Sequence, residues 1–150
     1  MSVGENKAIA LRWFDAQSAR TKEDFATMDK LTAPDFVYHH PMSPTVRTHE
    51  ERKQNVVIPL AKAFPDGKYS VDDVVAEGDE VVFRYTIRGT QKGEYMGIPP
   101  TNKRIELTSI CILRLAEGKV AEMWVENNAM VFMQQLGVIP LPAGYFHVKQ

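Results

Sequence analysis

At Tyr69 the spacing of apolar residues changes from a helical repeat to strict alternation, and this change of period constrains the fold more than any other feature of the chain. Alternating runs at about residues 69–77, 81–90, 104–115 and 119–126 predict four strands. Glu77-Gly78-Asp79 and Glu117-Gly118-Lys119 supply the tight reversals between paired runs. A longer connection, Gly89-Thr90-Gln91-Lys92-Gly93-Glu94-Tyr95-Met96-Gly97-Ile98-Pro99-Pro100-Thr101, is dense enough in glycine and proline to dictate one backbone path between the two longest runs.

Upstream, Ala8, Ile9, Leu11, Trp13, Phe14 and Ala16 recur at helical spacing within residues 5–20, where no Gly or Pro intervenes. Thr21 with Asp24 opens a second short helix that ends before Pro34, and 36–40 reads as a short strand stopped by Pro41. Thr48 with Glu51 opens a third helix that buries Val56, Val57, Leu60, Ala61 and Phe64. Pro59 lies inside that helix and predicts a kink near Asn55, because proline donates no hydrogen bond and clashes with the preceding turn. A last helix over 128–136 stops at Gly137, and 138–150 reads as an extended tail. Helices first and an antiparallel meander afterwards make an α+β fold.

With 150 residues and 44% hydrophobic content, one domain over 1–150 carries its own core. A net charge of −1, with no basic cluster larger than Lys103-Arg104, argues against a nucleic-acid partner. No apolar run approaches the roughly 20 residues that span a bilayer. The lone Cys111 closes no intramolecular disulfide, and no basic-then-apolar leader precedes Trp13, so a cytoplasmic setting is the expectation.

The ordered motifs Ala63-Phe64-Pro65-Asp66, Ala76-Glu77-Gly78-Asp79, Arg88-Gly89-Thr90, Gly97-Ile98-Pro99-Pro100-Thr101, Glu117-Gly118-Lys119 and Gln134-Gln135-Leu136-Gly137 together resemble the SnoaL-like polyketide cyclase family of the nuclear transport factor 2-like superfamily. The resemblance runs from about Phe36 to Gly137. It implies a cone-shaped α+β barrel in which a curved antiparallel sheet wraps around the N-terminal helices and encloses an apolar cavity. It also implies a homodimer joined through the convex sheet face. Family cyclases close a ring by an aldol reaction without a cofactor, using a carboxylate immediately after a strand tryptophan and polar residues on the preceding strand.

Here Trp124 matches that tryptophan but is followed by Val125, Ser109 and Cys111 stand where the family carries Gln and His, and Asn128 replaces an acid four residues past the tryptophan. Strand parity places Ser109, Cys111 and Leu113 on one face, and Met123, Val125 and Asn127 on another; by the family mapping both line the cavity. Glu106, Glu122, Trp124 and Glu126 then point away.

The resemblance aligns His39 with a histidine at the cavity mouth, which makes it the expected proton carrier, and sends His40 to the opposite face. Tyr95, Asn127 and Asn128 are the expected donors to a developing oxyanion, although capping the last helix is the competing role for one of the asparagines. Trp13, Phe64, Tyr85, Met96, Ser109, Cys111, Met123, Trp124 and Val125 are the expected ligand-contacting set. Cys111 reads as a small buried hydrophobe, not a nucleophile. Arg84, Arg88, Arg114 and Glu122 read as a cross-strand ion-pair network. No His-x-x-x-His or similar spacing points to a metal. The expected ligand is a small hydrophobic carbonyl compound, handled without metal or cofactor by a cyclase or isomerase; a binding module that kept the cavity and lost the chemistry is the alternative.

Overall fold

A computed structural model describes residues 1–140; the tail expected beyond Val138 falls largely outside them. Five helices and five strands follow in the order α1 (Val3–Ala16), α2 (Lys22–Leu31), β1 (Thr32–His39), α3 (His49–Arg52), a π-helical turn (Lys53–Val57), α4 (Ile58–Ala63), β2 (Lys68–Glu77), β3 (Glu80–Thr90), β4 (Arg104–Ala116), β5 (Lys119–Asn127) and α5 (Ala129–Gln135). The strands form one sheet in the order β1-β5-β4-β3-β2. All neighbours are antiparallel except β1, which joins β5 in parallel, an arrangement the expectation of an antiparallel sheet did not include.

Local chemistry explains most boundaries. Thr21 and Asp24 form a reciprocal capping box at α2: the Asp24 amide donates to Thr21 Oγ1 at 3.1 Å, and the Thr21 amide donates to Asp24 Oδ2 at 3.1 Å. Thr48 caps α3 through the Glu51 amide at 3.1 Å. The kink at Pro59 takes the form of the π turn, in which the Ile58 amide reaches back to the Lys53 carbonyl. Because Pro59 offers no amide to the Asn55 carbonyl and its ring crowds that group, widening the turn by one residue relieves both problems. At the β4–β5 hairpin, Glu117 and Gly118 both have positive φ, 51° and 77°, which matches the twist of the paired strands.

The sheet bends where register shifts interrupt β2 between Val71 and Asp73, and β4–β5 between Arg114 and Leu115. Its concave face packs on α1. Phe14 stacks on Phe83 at 4.6 Å and meets the Tyr85 ring edge-on at 4.8 Å, while Trp13 is fully buried and its indole N–H donates to Thr32 Oγ1 at 2.8 Å. β4 alternates buried and accessible residues from Arg104 to Ser109, so odd positions face inward as expected from its sequence. No helix among the described residues is long and apolar enough to cross a membrane.

Candidate functional site

Between the concave sheet and the α3–α4 segment lies a cavity of about 120 Å³. Its polar lining includes Gln17, Tyr38, His40, Arg52, Tyr95 and Asn127, with Ser43 and Asn55 beside them, and its apolar wall includes Tyr85, Met96, Met123, Val125 and Phe132. Among the described residues no Asp or Glu lines it. A wider, more open groove of about 560 Å³, between the end of α1 and α4, shares Gln17, Leu60, Tyr69 and Ile87 with the cavity.

His40 sits at the end of β1 with both ring nitrogens engaged. The Met42 amide donates to Nδ1 at 3.1 Å, so Nδ1 carries a lone pair and the neutral ring holds its proton on Nε2. Nε2 lies 3.1 Å from Asn127 Nδ2, a contact in which two N–H groups would face each other unless the Asn127 amide is turned about its terminal bond. With a proton on Nε2 that contact requires the Asn127 carbonyl oxygen to face the ring and to accept, which leaves the Asn127 NH₂ free. Burial, and to a smaller extent Arg52, hold the His40 pKa below 6.5 against the opposing pull of Glu126, so the imidazole is neutral at pH 7.

Arg52, at the end of α3, is buried to 4% exposure. Its guanidinium lies over the Trp13 ring at 5.0 Å and the Tyr38 ring at 5.3 Å, donates from Nη2 to Gln17 Oε1, and touches Met28 Sδ at 3.8 Å. Around it, burial pushes the phenols of Tyr38, Tyr69 and Tyr85 above their ordinary value and that of Tyr95 up to about 12, so all four remain protonated donors.

Tyr95 and Met96 reach the cavity from the 91–103 loop, whose frame is Gln91. This side chain is fully buried; Nε2 donates to the Gly93 and Ile98 carbonyls, both at 3.1 Å, and Oε1 accepts from Thr101 Oγ1 at 2.7 Å and the Thr101 amide at 3.2 Å. Met96 and Gly97 turn the loop tip at positive φ. Gly93 lets the loop rest on α4: a Cβ there would stand 3.1 Å from the Lys62 carbonyl oxygen.

Residues 8–136 match the SnoaL-like polyketide cyclase family. The chain belongs to that family. Among solved structures it is similar to AclR of Streptomyces galilaeus, a proposed hydroxylase, with 30% identity over 93% of this chain and 100% of AclR, TM-score 0.77. It is also similar to IdmH of Streptomyces antibioticus, a proposed polyketide cyclase, with 31% identity over 87% of this chain and 99% of IdmH, TM-score 0.71. A proposed SnoaL-like polyketide cyclase from Jannaschia sp. CCS1 shares 25% identity over 91% of this chain and 94% of its own, TM-score 0.79. No curated protein matches the chain at a significant level.

The SnoaL-like frame brings some of the expected residues together and separates others. Tyr85, Tyr95, Met96, Met123, Val125 and Asn127 line the cavity. His39 does not: its Nε2 contacts Glu122 Oε2 at 2.7 Å and its ring stacks on Trp124 at 5.3 Å, both on the convex face. This corrects the placement of His39 at the cavity and removes Trp124 from the ligand-contacting set, while agreeing with the strand parity that turns Trp124 outward. The β1 residues Phe36 and Tyr38 are buried, so the even positions of β1 point inward and carry His40 with them. Asn128 caps α5, its Oδ1 accepting from the Val131 amide at 3.4 Å, and so does not reach the cavity.

Trp13 acts from below, under Arg52, and Phe64 borders the outer groove while supporting Tyr95 at 5.9 Å. Ser109 and Cys111 face inward but lie in the packed core instead of on the cavity wall; burial pushes the Cys111 thiol up to about 12. Arg52, Gln17, Tyr38 and Gln91 are the residues that the sequence reading missed. Tyr38 was signalled by its shared parity with Phe36; Arg52 carries no signal, because a charge in a capped helix normally faces water.

Proposed function

We propose that the chain is a cofactor-independent cyclase or isomerase acting on a hydrophobic carbonyl compound of polyketide or terpenoid type, with His40 in the role the family resemblance gave to His39. The observation that carries this reading is the neutral His40–Asn127 pair on the wall of a cavity that holds no carboxylate. A neutral imidazole with its proton on Nε2 is a hydrogen-bond donor and proton relay, suited to a carbonyl oxygen on which negative charge develops. In an aldol closure water takes the α-proton as Nε2–H gives its proton to the carbonyl oxygen, forming the enol, and the hydronium so made returns a proton to Nε2. As the enol carbon attacks the second carbonyl, the Nε2 proton passes to the new alkoxide and the enol O–H proton returns to Nε2, so the ring ends as it began. Tyr95 and the free Asn127 NH₂ supply further donors to the oxyanion. An apolar cavity on the order of 150 Å³ admits benzene, so about 120 Å³ suits one ring, and a longer substrate would extend into the groove beside Leu60 and Tyr69.

The test is α-proton exchange of benzoylacetone in deuterated buffer, followed by NMR. Acceleration over buffer that is lost in His40→Ala supports the reading; a wild-type rate equal to buffer, or an unaffected variant, overturns it.

One observation favours a second reading, a ligand-binding module without turnover: Val125 and Cys111 are inert at the positions where the family reacts. It predicts saturable binding of benzoylacetone with no accelerated exchange. A homodimer remains part of the proposal. It is supported by the convex face, where Ile110 is 49% exposed beside the partly exposed Ile112 and Trp124, and light scattering checks it.

A further inference from the structure

Arg52 is buried without a counter-charge among the described residues. Among the described residues no carboxylate lies within ion-pair distance of it, and its Nε has no hydrogen-bond partner. The amide nitrogen of Gln17, whose oxygen it holds, is equally buried and unpartnered. Buried charges in proteins are ordinarily paired, because leaving one alone forfeits its hydration with nothing in return. The aromatic faces of Trp13 and Tyr38 offset part of that cost but satisfy no N–H in the guanidinium plane. Arg52 and Gln17 both line the cavity, and among the described residues that wall carries no acid.

We propose that Arg52 and Gln17 form a receptor for the carboxylate of the ligand, so that the compound bound here is an anionic oxo acid and not a neutral ester or ketone. This rests on the preceding section in taking the cavity as the ligand site, and it names the chemical class of the ligand. A planar guanidinium carries paired donors that match the two oxygens of a carboxylate, and the Gln17 amide a neutral donor beside them; the two unpartnered nitrogens lie just under the cavity surface, so a carboxylate engages them as the Arg52 and Gln17 side chains turn toward it. His40 and Tyr95 line the same chamber, so an acid held at Arg52 leaves the ligand's carbonyl to them. The wall selects by charge: an ester or amide of the same shape leaves the Arg52 charge as unpaired as it is in the empty protein.

The test compares benzoate with benzamide, two one-ring probes of nearly equal shape, by calorimetry on the wild-type chain. Benzoate is expected to bind at least about tenfold more tightly, since hydrogen bonds to a charged group carry about that much. Arg52→Met is expected to erase the preference and Arg52→Lys to keep part of it. In the wild-type protein, which depends on no variant folding, the Arg52 Nε–H proton resonance should move downfield on adding benzoate and stay in place with benzamide. Equal affinities in the wild type, no binding of benzoate, an unmoved resonance, or a preference that survives Arg52→Met each overturns the proposal. A protein that prefers benzoate through Arg52 yet leaves benzoylacetone exchange at the buffer rate would refute the cyclase reading alone; accelerated exchange without a benzoate preference would refute the carboxylate receptor alone.

Discussion

Replacing Gln91 with Leu removes four hydrogen bonds at a fully buried position and leaves the Gly93 and Ile98 carbonyls and the Thr101 amide and hydroxyl to find other partners. Each such bond contributes about 1 kcal/mol net, which sums to about 4 kcal/mol. Thr101 and Ile98 are partly accessible, so water recovers a share of that, and the expected loss is about 2–3 kcal/mol. For a chain of this size that lowers the melting temperature by about 4–12 °C. Urea unfolding measures the loss directly, and an unchanged m-value shows that the sheet and its core survive. Because Gln91 frames the loop that carries Tyr95 and Met96, the Thr101 amide should also exchange with solvent faster, and any cavity ligand should bind more weakly. Gln91→Glu keeps the acceptors for Thr101 but turns a carboxylate oxygen toward two carbonyls, so it should be no more stable than the Leu variant at pH 7. A loss below about 0.5 kcal/mol in Gln91→Leu would refute the claim that this one amide organises the loop.

Four further outcomes follow from the geometry. Trp13→Phe gives up the indole bond to Thr32 and part of the platform under Arg52, and should cost about 1–3 kcal/mol in urea unfolding. Val125→Asp puts a carboxyl on a buried wall; burial raises its pKa and the Arg52 charge on the same wall opposes that, so the variant should lose about 1–2 kcal/mol at pH 7, with the deficit against wild type shrinking as pH falls toward 5. Glu122 is pulled upward by burial, but hydrogen bonds from His39 and Arg114 bring its pKa below 4.5 overall. Its contribution is therefore present above pH 4.5 and lost as pH falls through the lower folded value, so Glu122→Gln should flatten the acid limb of the stability–pH curve. Cys111, with its thiol pushed up to about 12, should react with a disulfide reagent at pH 8 only at the rate of unfolding.

How far the fold was legible from sequence depends on whether the signal was periodic. Alternation located β2 through β5 to within about a residue, because one buried face enforces parity along each strand. Pro59 located the distortion of the third helix, because a missing amide acts four residues upstream at Asn55. The site was less legible, and β1 shows why. Phe36 and Tyr38 already marked the inward face, yet the family alignment put His39 there, one residue out of phase with this chain's own pattern. Over a strand this short, two apolar residues are a thin signal, but they were the physical one. Arg52 and Gln91 lie beyond periodicity altogether: each is polar, and each is buried by contacts with segments distant in sequence.

The composition of the cavity wall restricts the chemistry more than any single residue does. Every titratable group that lines it is cationic or a neutral donor at pH 7: Arg52 charged, His40 neutral with its proton on Nε2, and the tyrosines held protonated by burial. With no carboxylate opposite among the described residues, the field inside favours negative charge on whatever enters. The family acid would work against that field; Val125 leaves it intact. Val125→Asp should therefore weaken benzoate binding even though residue 125 carries no hydrogen-bonding group in the wild type, and benzoate affinity unchanged in that variant would show that the two sites are independent.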